Sequence, residues 1–202
     1  MKKIIILLIL TIPCILLAGK DVKMDYYDNW YMTAGLGKDW ILAGYYEPYK
    51  FGVNSNFRLR FYWFYGEEND CNIYLFLNEK DTHPDADPTD FSKAKYGPIA
   101  GRTGSQQNIY YFNWYIKKSE IDAQVNKRFW VLFYFPNKAN NLQSDDTNIP
   151  KNSMNWDPTR KIWTPDLWKN GPLPCWCVEI LVDTPPTSLE STSFGIVKAL
   201  FR

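Results

Sequence analysis

The segment FRLRFYW, residues 57–63, decides the fold class because large apolar side chains recur at every second position. A period of two predicts a β-strand with one buried face. The residues that this period places on the buried face are Phe57, Leu59, Phe61 and Trp63. The segment therefore favours a sheet, in which each strand lends one face to a shared core.

Five further segments favour strand because they are rich in aromatic and β-branched residues, which pack well on a pleated surface. They are residues 40–45, 72–77, 109–116, 129–135 and 176–182. In the last of them, the side chains expected to face the core are Trp176, Val178, Ile180 and Val182.

Helical signals are confined to residues 119–125, where Ser119 is the expected cap and Asp122 stands at the capping-box spacing. The long polar stretches 78–108 and 136–162 are expected to be loops at the sheet edges. Many short strands with little helix predict an all-β protein, a single antiparallel jelly-roll-like β-sandwich over residues 22–183.

The composition excludes several other classes of protein. Of the 202 residues, 46% are hydrophobic and 17% aromatic, which is too apolar for a disordered chain. No heptad or collagen-like repeat is present. The 23 basic and 22 acidic residues nearly cancel, so the chain lacks the charge of a general nucleic-acid binder.

The first nineteen residues predict a signal peptide helix, residues 1–19. Lys2 and Lys3 precede the apolar run 4–17, which is shorter than the roughly 20 residues that a membrane-spanning helix needs. Ala18-Gly19 supplies small residues for cleavage, so we expect a secreted or cell-surface protein without a stable membrane span after cleavage. An uncleaved anchor is the alternative.

Three cysteines follow the signal segment, namely Cys71, Cys175 and Cys177. An odd number in an oxidising compartment allows one intramolecular disulfide, and Cys71 could pair with either of the others. Cys175 and Cys177 flank Trp176 and are expected on the same face of a strand. A metal site is not favoured, because this pair lacks a second ligand pair and His83 is the sole histidine.

Three tryptophans are distinct because they stand among turn residues and charges, namely Trp156, Trp163 and Trp168. An exposed indole next to Asp157 and Arg160 offers an apolar plate with hydrogen-bonding neighbours, as stacking on a sugar ring requires. The alternative is that these indoles cover one end of the sandwich core.

An acidic loop contains the candidate calcium ligands, Asp81, Asp85, Asp87 and Asp90. Carboxylates at alternate positions can converge on one hard cation, with Asp145 and Asp146 as further partners. The alternative is a solvated acidic loop. No other cofactor is expected.

The sequence contains no histidine-dependent catalytic motif, because His83 lies in a loop with no nucleophile motif near it. A glycosidase needs two carboxylates only. The carboxylates considered for such a pair are Glu47, Glu67, Glu68, Glu79 and Asp157. No local sequence pattern indicates that any two of these carboxylates lie together as a glycosidase pair, so we expect no enzyme activity.

The C-terminal residues 184–202 form a separate segment. Pro185-Pro186 predicts a stiff spacer, and the tail STSFGIVKALFR resembles a C-terminal signature of secreted bacterial proteins, S-x-x-W-G-x-(I/V)-K-x-L-(F/Y)-R. Phe194 replaces the usual Trp. The matching positions are Gly195, Val197, Lys198, Leu200, Phe201 and Arg202. In those proteins the tail is inferred to serve export or surface retention.

The body of the chain, about Trp40 to Val182, is similar to the β-sandwich domains that precede such tails, which resemble carbohydrate-binding modules. The resemblance rests on FRLRFYWFY, CNIYLFL and FWVLFYF in that order, followed by Ser144-Asp145-Asp146. It implies a non-catalytic exported protein with a structural or adhesive role. The alternative is a carbohydrate-binding module, and a carboxylate-pair glycosidase is third. Expected partners are extracellular polysaccharide or other cell-envelope components, and not nucleic acid.

Overall fold

The computed structural model describes residues 20–27, 32–77, 90–104, 110–145, 152–165 and 175–184. The predicted signal segment, residues 1–19, and the tail from residue 185 lie outside these residues. The strands are β1 (Lys20–Met24), β2 (Met32–Leu36), β3 (Trp40–Tyr46), β4 (Phe57–Phe64), β5 (Asp70–Phe76), β6 (Tyr96–Arg102), β7 (Tyr110–Ile116), β8 (Phe129–Phe135), β9 (Ala139–Asp145), β10 (Ser153–Asp157), β11 (Ile162–Thr164), β12 (Cys175–Trp176) and β13 (Val178–Thr184). Helical structure within the described residues consists of α1 (Lys118–Asp122) and the 3₁₀ turns Pro48–Phe51, Phe91–Lys93 and Val125–Lys127.

These strands form three antiparallel sheets. The four-stranded sheet has the order β1-β13-β4-β7, the six-stranded sheet β11-β10-β3-β8-β5-β6, and the three-stranded sheet β12-β9-β2. The fold is an all-β antiparallel sandwich, which confirms the predicted fold class.

The main core lies between the four-stranded and six-stranded sheets. Tyr62 and Phe64 of β4 contact Phe133 of β8, with ring centroids 5.3 and 5.2 Å apart. The three-stranded sheet adds Leu142 and Trp176 to the same core. Aromatic rings from facing sheets thus fill the interior, as the 17% aromatic content requires.

The most apolar predicted strands are confirmed. The segment predicted at 129–135 is β8 without a change of boundary, and β7 lies within the segment predicted at 109–116. The predicted core side chains of the last segment are all buried in the main core, namely Trp176, Val178, Ile180 and Val182.

The expectation that residues 78–108 and 136–162 are loops throughout is wrong. They contain β6, β9 and β10. In β9, sequence ANNLQSD, four of seven positions are buried although the residues are mostly polar. Polar strands of this kind lack the apolar alternation that identifies a strand, so only the fold reveals them.

The predicted buried face of residues 57–63 is correct only in its first half. The pairing of β4 with β7 shifts register between Leu59 and Phe61. Beyond this bulge Tyr62 belongs to the main core, whereas Trp63 lies in a separate cluster on the outer face. A bulge inserts one residue and reverses the inward and outward positions that follow it.

The predicted helix at 119–125 is shorter and starts earlier, as α1 over Lys118–Asp122. Its cap is Lys117, whose backbone N–H donates to the Glu120 carboxylate at 2.8 Å. Ser119 and Asp122 are therefore not the capping pair. No helix in the described ranges is long and apolar enough to cross a membrane.

Candidate functional site

The six-stranded sheet has a second apolar face, directed away from the main core. Alternation along β3 places Leu42 in the main core and Ile41 and Ala43 on the opposite side. We call this second side the aromatic outer face, and its rings are Tyr45, Tyr74, Phe76, Phe91, Trp130, Tyr134, Trp156 and Trp163. Trp130 is buried at its centre, and Trp156 and Trp163 are partly buried at one edge.

Trp156 and Trp163 form a direct cross-strand pair on the hairpin of β10 and β11. Their ring centroids are 5.7 Å apart and their planes are inclined by 63°. Directly opposed residues of an antiparallel pair point to the same side of the sheet, so both indoles belong to the aromatic outer face. Trp156 is also opposite Ile41 of β3, which holds the pair against the sheet.

The turn that joins these strands is fixed by Asp157. One carboxylate oxygen accepts hydrogen bonds from the backbone N–H groups of Thr159 and Arg160, at 2.8 and 3.0 Å. The other accepts from Arg160 Nε at 2.6 Å. Burial alone would raise the pKa of Asp157, but the hydrogen bonds from Arg160 and Thr159 outweigh it and lower the pKa below its ordinary value.

The hairpin therefore brings together four of the five sequence-predicted sugar-binding residues: Trp156, Asp157, Arg160 and Trp163. Trp168 lies outside the described residues. The two indoles rest on the buried part of the outer face and are partly exposed on their other side. Both indoles thus pack on apolar residues of this face while the two residues remain partly exposed.

The part of the aromatic outer face that lies away from the indole pair contains a cationic side chain. The Arg128 guanidinium lies 4.4 Å from the Tyr45 ring centroid and 5.1 Å from that of Trp130. Such contacts favour a cation between aromatic rings. On the near side, Tyr134 donates its hydroxyl to Asp39 at 2.8 Å, and burial together with this carboxylate raises the pKa of Tyr134 to about 12.

Only Asp90 of the predicted calcium ligands in the acidic loop lies among the described residues. Its carboxylate accepts a hydrogen bond from the Ser92 N–H at 2.9 Å and caps the turn Phe91–Lys93. The ligands outside these residues are Asp81, Asp85, Asp87 and the further partner Asp146. Asp145 is fully buried where β9 pairs with β12. No group of three or more His, Cys, Asp or Glu side chains in the described ranges is arranged to hold a metal ion.

The described residues include three cysteines, all buried, and none of them forms a disulfide, so Cys71 is not bridged to either of the others. Cys71 lies on β5 in the main core, and Cys175 lies there too, donating to Asn152 Oδ1 at 2.8 Å. Cys177 packs instead with Trp63 in the separate outer cluster. The expectation that Cys175 and Cys177 share one face is wrong, because β12 ends at Trp176 and the next strand begins only at Val178.

The carboxylates considered for catalysis are distributed over the fold, and Glu79 lies outside the described residues. Each of the others has its own partner. Glu47 pairs with Lys50, Glu67 accepts from Asn141, Glu68 pairs with Arg102, and Asp157 pairs with Arg160.

A second polar cluster, which the sequence did not indicate, lies on the outer face of the four-stranded sheet. Glu179 accepts hydrogen bonds from the hydroxyls of Tyr27 and Tyr65 and lies 3.3 Å from Lys23 Nζ. Lys23 also pairs with Asp25 at 2.7 Å. These contacts fasten β1 and the residues after it to β13. The bulge in β4 brings Tyr65 to this face, and no sequence pattern marks that bulge.

Comparison of the chain with protein-family models, with curated proteins and with solved structures finds no match. The functional argument for this chain consequently depends on its own residues.

Proposed function

We propose that the protein is an exported, non-catalytic β-sandwich protein with an adhesive role, and that it binds polysaccharide through Trp156 and Trp163. The observation that carries this proposal is the paired, partly exposed position of the two indoles on a rigid hairpin. The C–H face of a sugar ring is apolar and packs on an indole, while its hydroxyl groups need polar neighbours. Asp157 and Arg160 supply such neighbours in the adjoining turn.

Rigidity supports this role because a preorganised platform loses little conformational entropy when it binds. The turn is held by Asp157, and the indoles are held by each other and by Ile41 of the neighbouring strand. The non-catalytic part of the proposal is supported by the candidate carboxylates, since those in the described ranges are engaged in separate contacts across the fold.

Export is supported by the sequence of residues 1–19 and by the C-terminal tail. N-terminal sequencing of the protein recovered from the medium or the cell surface tests it, and a first residue of Lys20 is the expected result. That product would retain every residue that the structure describes. Recovery of an intact Met1 terminus would show an uncleaved anchor instead.

The binding experiment uses the chain from Lys20 to Arg202 and a panel of soluble polysaccharides, followed by intrinsic tryptophan emission. A saturable change without release of smaller sugars is expected. Trp156→Ala and Trp163→Ala should each weaken binding, while Tyr49→Ala serves as a control because this half-buried ring lies away from the aromatic outer face. Absence of binding across the panel would contradict the adhesive proposal, and released sugar would contradict the non-catalytic one.

A further inference from the structure

Three turns lie side by side next to the indole pair, at one end of the six-stranded sheet. β10 ends at Asp157, β3 begins at Trp40, and β8 ends at Phe135. The register places Trp156 opposite Ile41 and Trp40 opposite Phe135, so these three strands end at the same level. Adjacent strands are about 4.8 Å apart, and the three turns therefore lie within about 10 Å of one another.

These turns contain an excess of positive charge. We call their exposed basic side chains the basic rim: Lys38, Lys138, Arg160 and Lys161. The acidic side chains of the same turns are only two, Asp39 and Asp157, so the four basic side chains outnumber them by two. Asp39 accepts from the Tyr134 hydroxyl, and Asp157 is held by the turn that contains Arg160.

The excess is not a property of the whole chain. The whole chain has a formal net charge of only +1. The next two strands, β5 and β6, carry Arg102 at the same end, and it pairs with Asp70 and Glu68. Among the described residues at this end of the sheet, the excess of positive charge therefore lies on the three turns beside the indole pair.

Arg160 is oriented for an anion by the hairpin itself. Its Nε is bound to Asp157, while its side chain is 58% exposed. The planar guanidinium matches a carboxylate in geometry, and holding one nitrogen in place reduces the freedom that is lost on binding. The cation and the indole of Trp156 belong to adjoining parts of one short hairpin.

We propose that the basic rim selects acidic polysaccharides, with uronate carboxylates on the rim and sugar rings on Trp156 and Trp163. This inference rests on the proposed sugar binding and adds the class of polymer. A single-stranded nucleic acid also combines anionic groups with stacking, but it requires a basic groove that follows its backbone. Here the exposed basic side chains form one compact group, and the whole chain is nearly neutral. This arrangement favours a polysaccharide whose sugar rings stack on the two indoles and whose carboxylates bind at the basic rim.

The test compares polygalacturonate with the same polymer after complete methyl esterification, which removes the charge and keeps the sugar. At about 0.05 M salt the chain from Lys20 to Arg202 should bind the acidic form about tenfold more tightly, since several exposed ion pairs together are worth about one such factor. The preference should shrink as salt rises towards about 0.5 M, where screening is strong.

The decisive variant is the triple replacement Lys38→Gln, Lys138→Gln and Lys161→Gln, which leaves the Asp157–Arg160 contact intact. It should remove most of the preference for the acidic form and leave binding of the ester unchanged. Arg102→Gln is the matched control, because it also removes an exposed cation at this end of the sheet but outside the basic rim, and it should leave the preference in place.

The outcomes separate this inference from the proposed function. Equal binding of both polymers, lost in Trp163→Ala, would overturn acidic selection and retain sugar binding. Binding of neither polymer, with silence across the wider panel, would overturn both. Displacement of polygalacturonate by a smaller amount of oligothymidylate would overturn the assignment to polysaccharide and favour nucleic acid.

Discussion

Trp156 and Trp163 stand directly opposite each other on β10 and β11, with ring centroids 5.7 Å apart and planes inclined by 63°. The tilted arrangement is one that aromatic pairs prefer over face-to-face stacking. Because β11 has only three residues and lies at the sheet edge, the indole contact adds to the short backbone pairing that holds it to β10. The pair therefore links the stability of the hairpin to the surface proposed for binding.

The two indoles should be energetically coupled. In a double-mutant cycle of Trp156→Ala and Trp163→Ala, we expect a coupling free energy of about 0.5–1.5 kcal/mol, measured by urea unfolding. Trp163→Ala alone should cost about 1 kcal/mol, whereas Trp130→Ala should cost about 3–5 kcal/mol because that ring is 1% exposed. Equal losses for Trp163→Ala and Trp130→Ala would show that Trp163 is a core residue and not a platform.

Asp157 should make the hairpin sensitive to acid. The pKa of Asp157 is lowered in the folded protein, so the ionised side chain adds to the free energy of unfolding. This stabilisation is fully present above the ordinary carboxyl pKa of about 3.9 and is lost as the pH falls through the pKa of the folded protein. Asp157→Asn should therefore cost about 1 kcal/mol near neutral pH, and the difference from the parent should shrink below about pH 4. Urea unfolding at a series of pH values measures the difference in free energy of unfolding between the parent and the variant. A difference that stays constant to low pH would exclude the charge of the Asp157 carboxylate as its cause.

The sequence predicted the strands that build the core and missed those that position the site. The segment FWVLFYF is apolar on both faces and fits only a buried strand, as β8 is. SMNWD and IWT are too short and too polar to show a period, so Trp156 and Trp163 were expected in a loop. The placement of their hairpin on the aromatic outer face depends on β3 lying beside β10, a contact between residues about 110 positions apart that no local pattern encodes.

Gly97 should not tolerate a side chain. Its φ is +118°, and a Cβ atom built there would lie 2.6 Å from the Ile73 carbonyl oxygen, a backbone atom that cannot move aside cheaply. We expect Gly97→Ala to lower the free energy of unfolding by about 2–4 kcal/mol. Gly52→Ala is the matched control, since its φ is +77° but the space around it is open, and it should cost about 1 kcal/mol. Equal losses in the two variants would mean that the contact with Ile73 contributes nothing.

The three thiols should be unreactive in the folded protein and should all be present on unfolding. Burial raises the pKa of Cys71 and of Cys175 to about 12 and also raises that of Cys177, so little thiolate exists at about pH 8. We expect the chain from Lys20 to Arg202 to react negligibly with Ellman's reagent when native. In guanidinium chloride without reductant, all three cysteines should react, because no disulfide joins any two of them. A single reactive thiol under those conditions would show instead that two of the cysteines are joined, which contradicts the absence of a disulfide among the three in this structure.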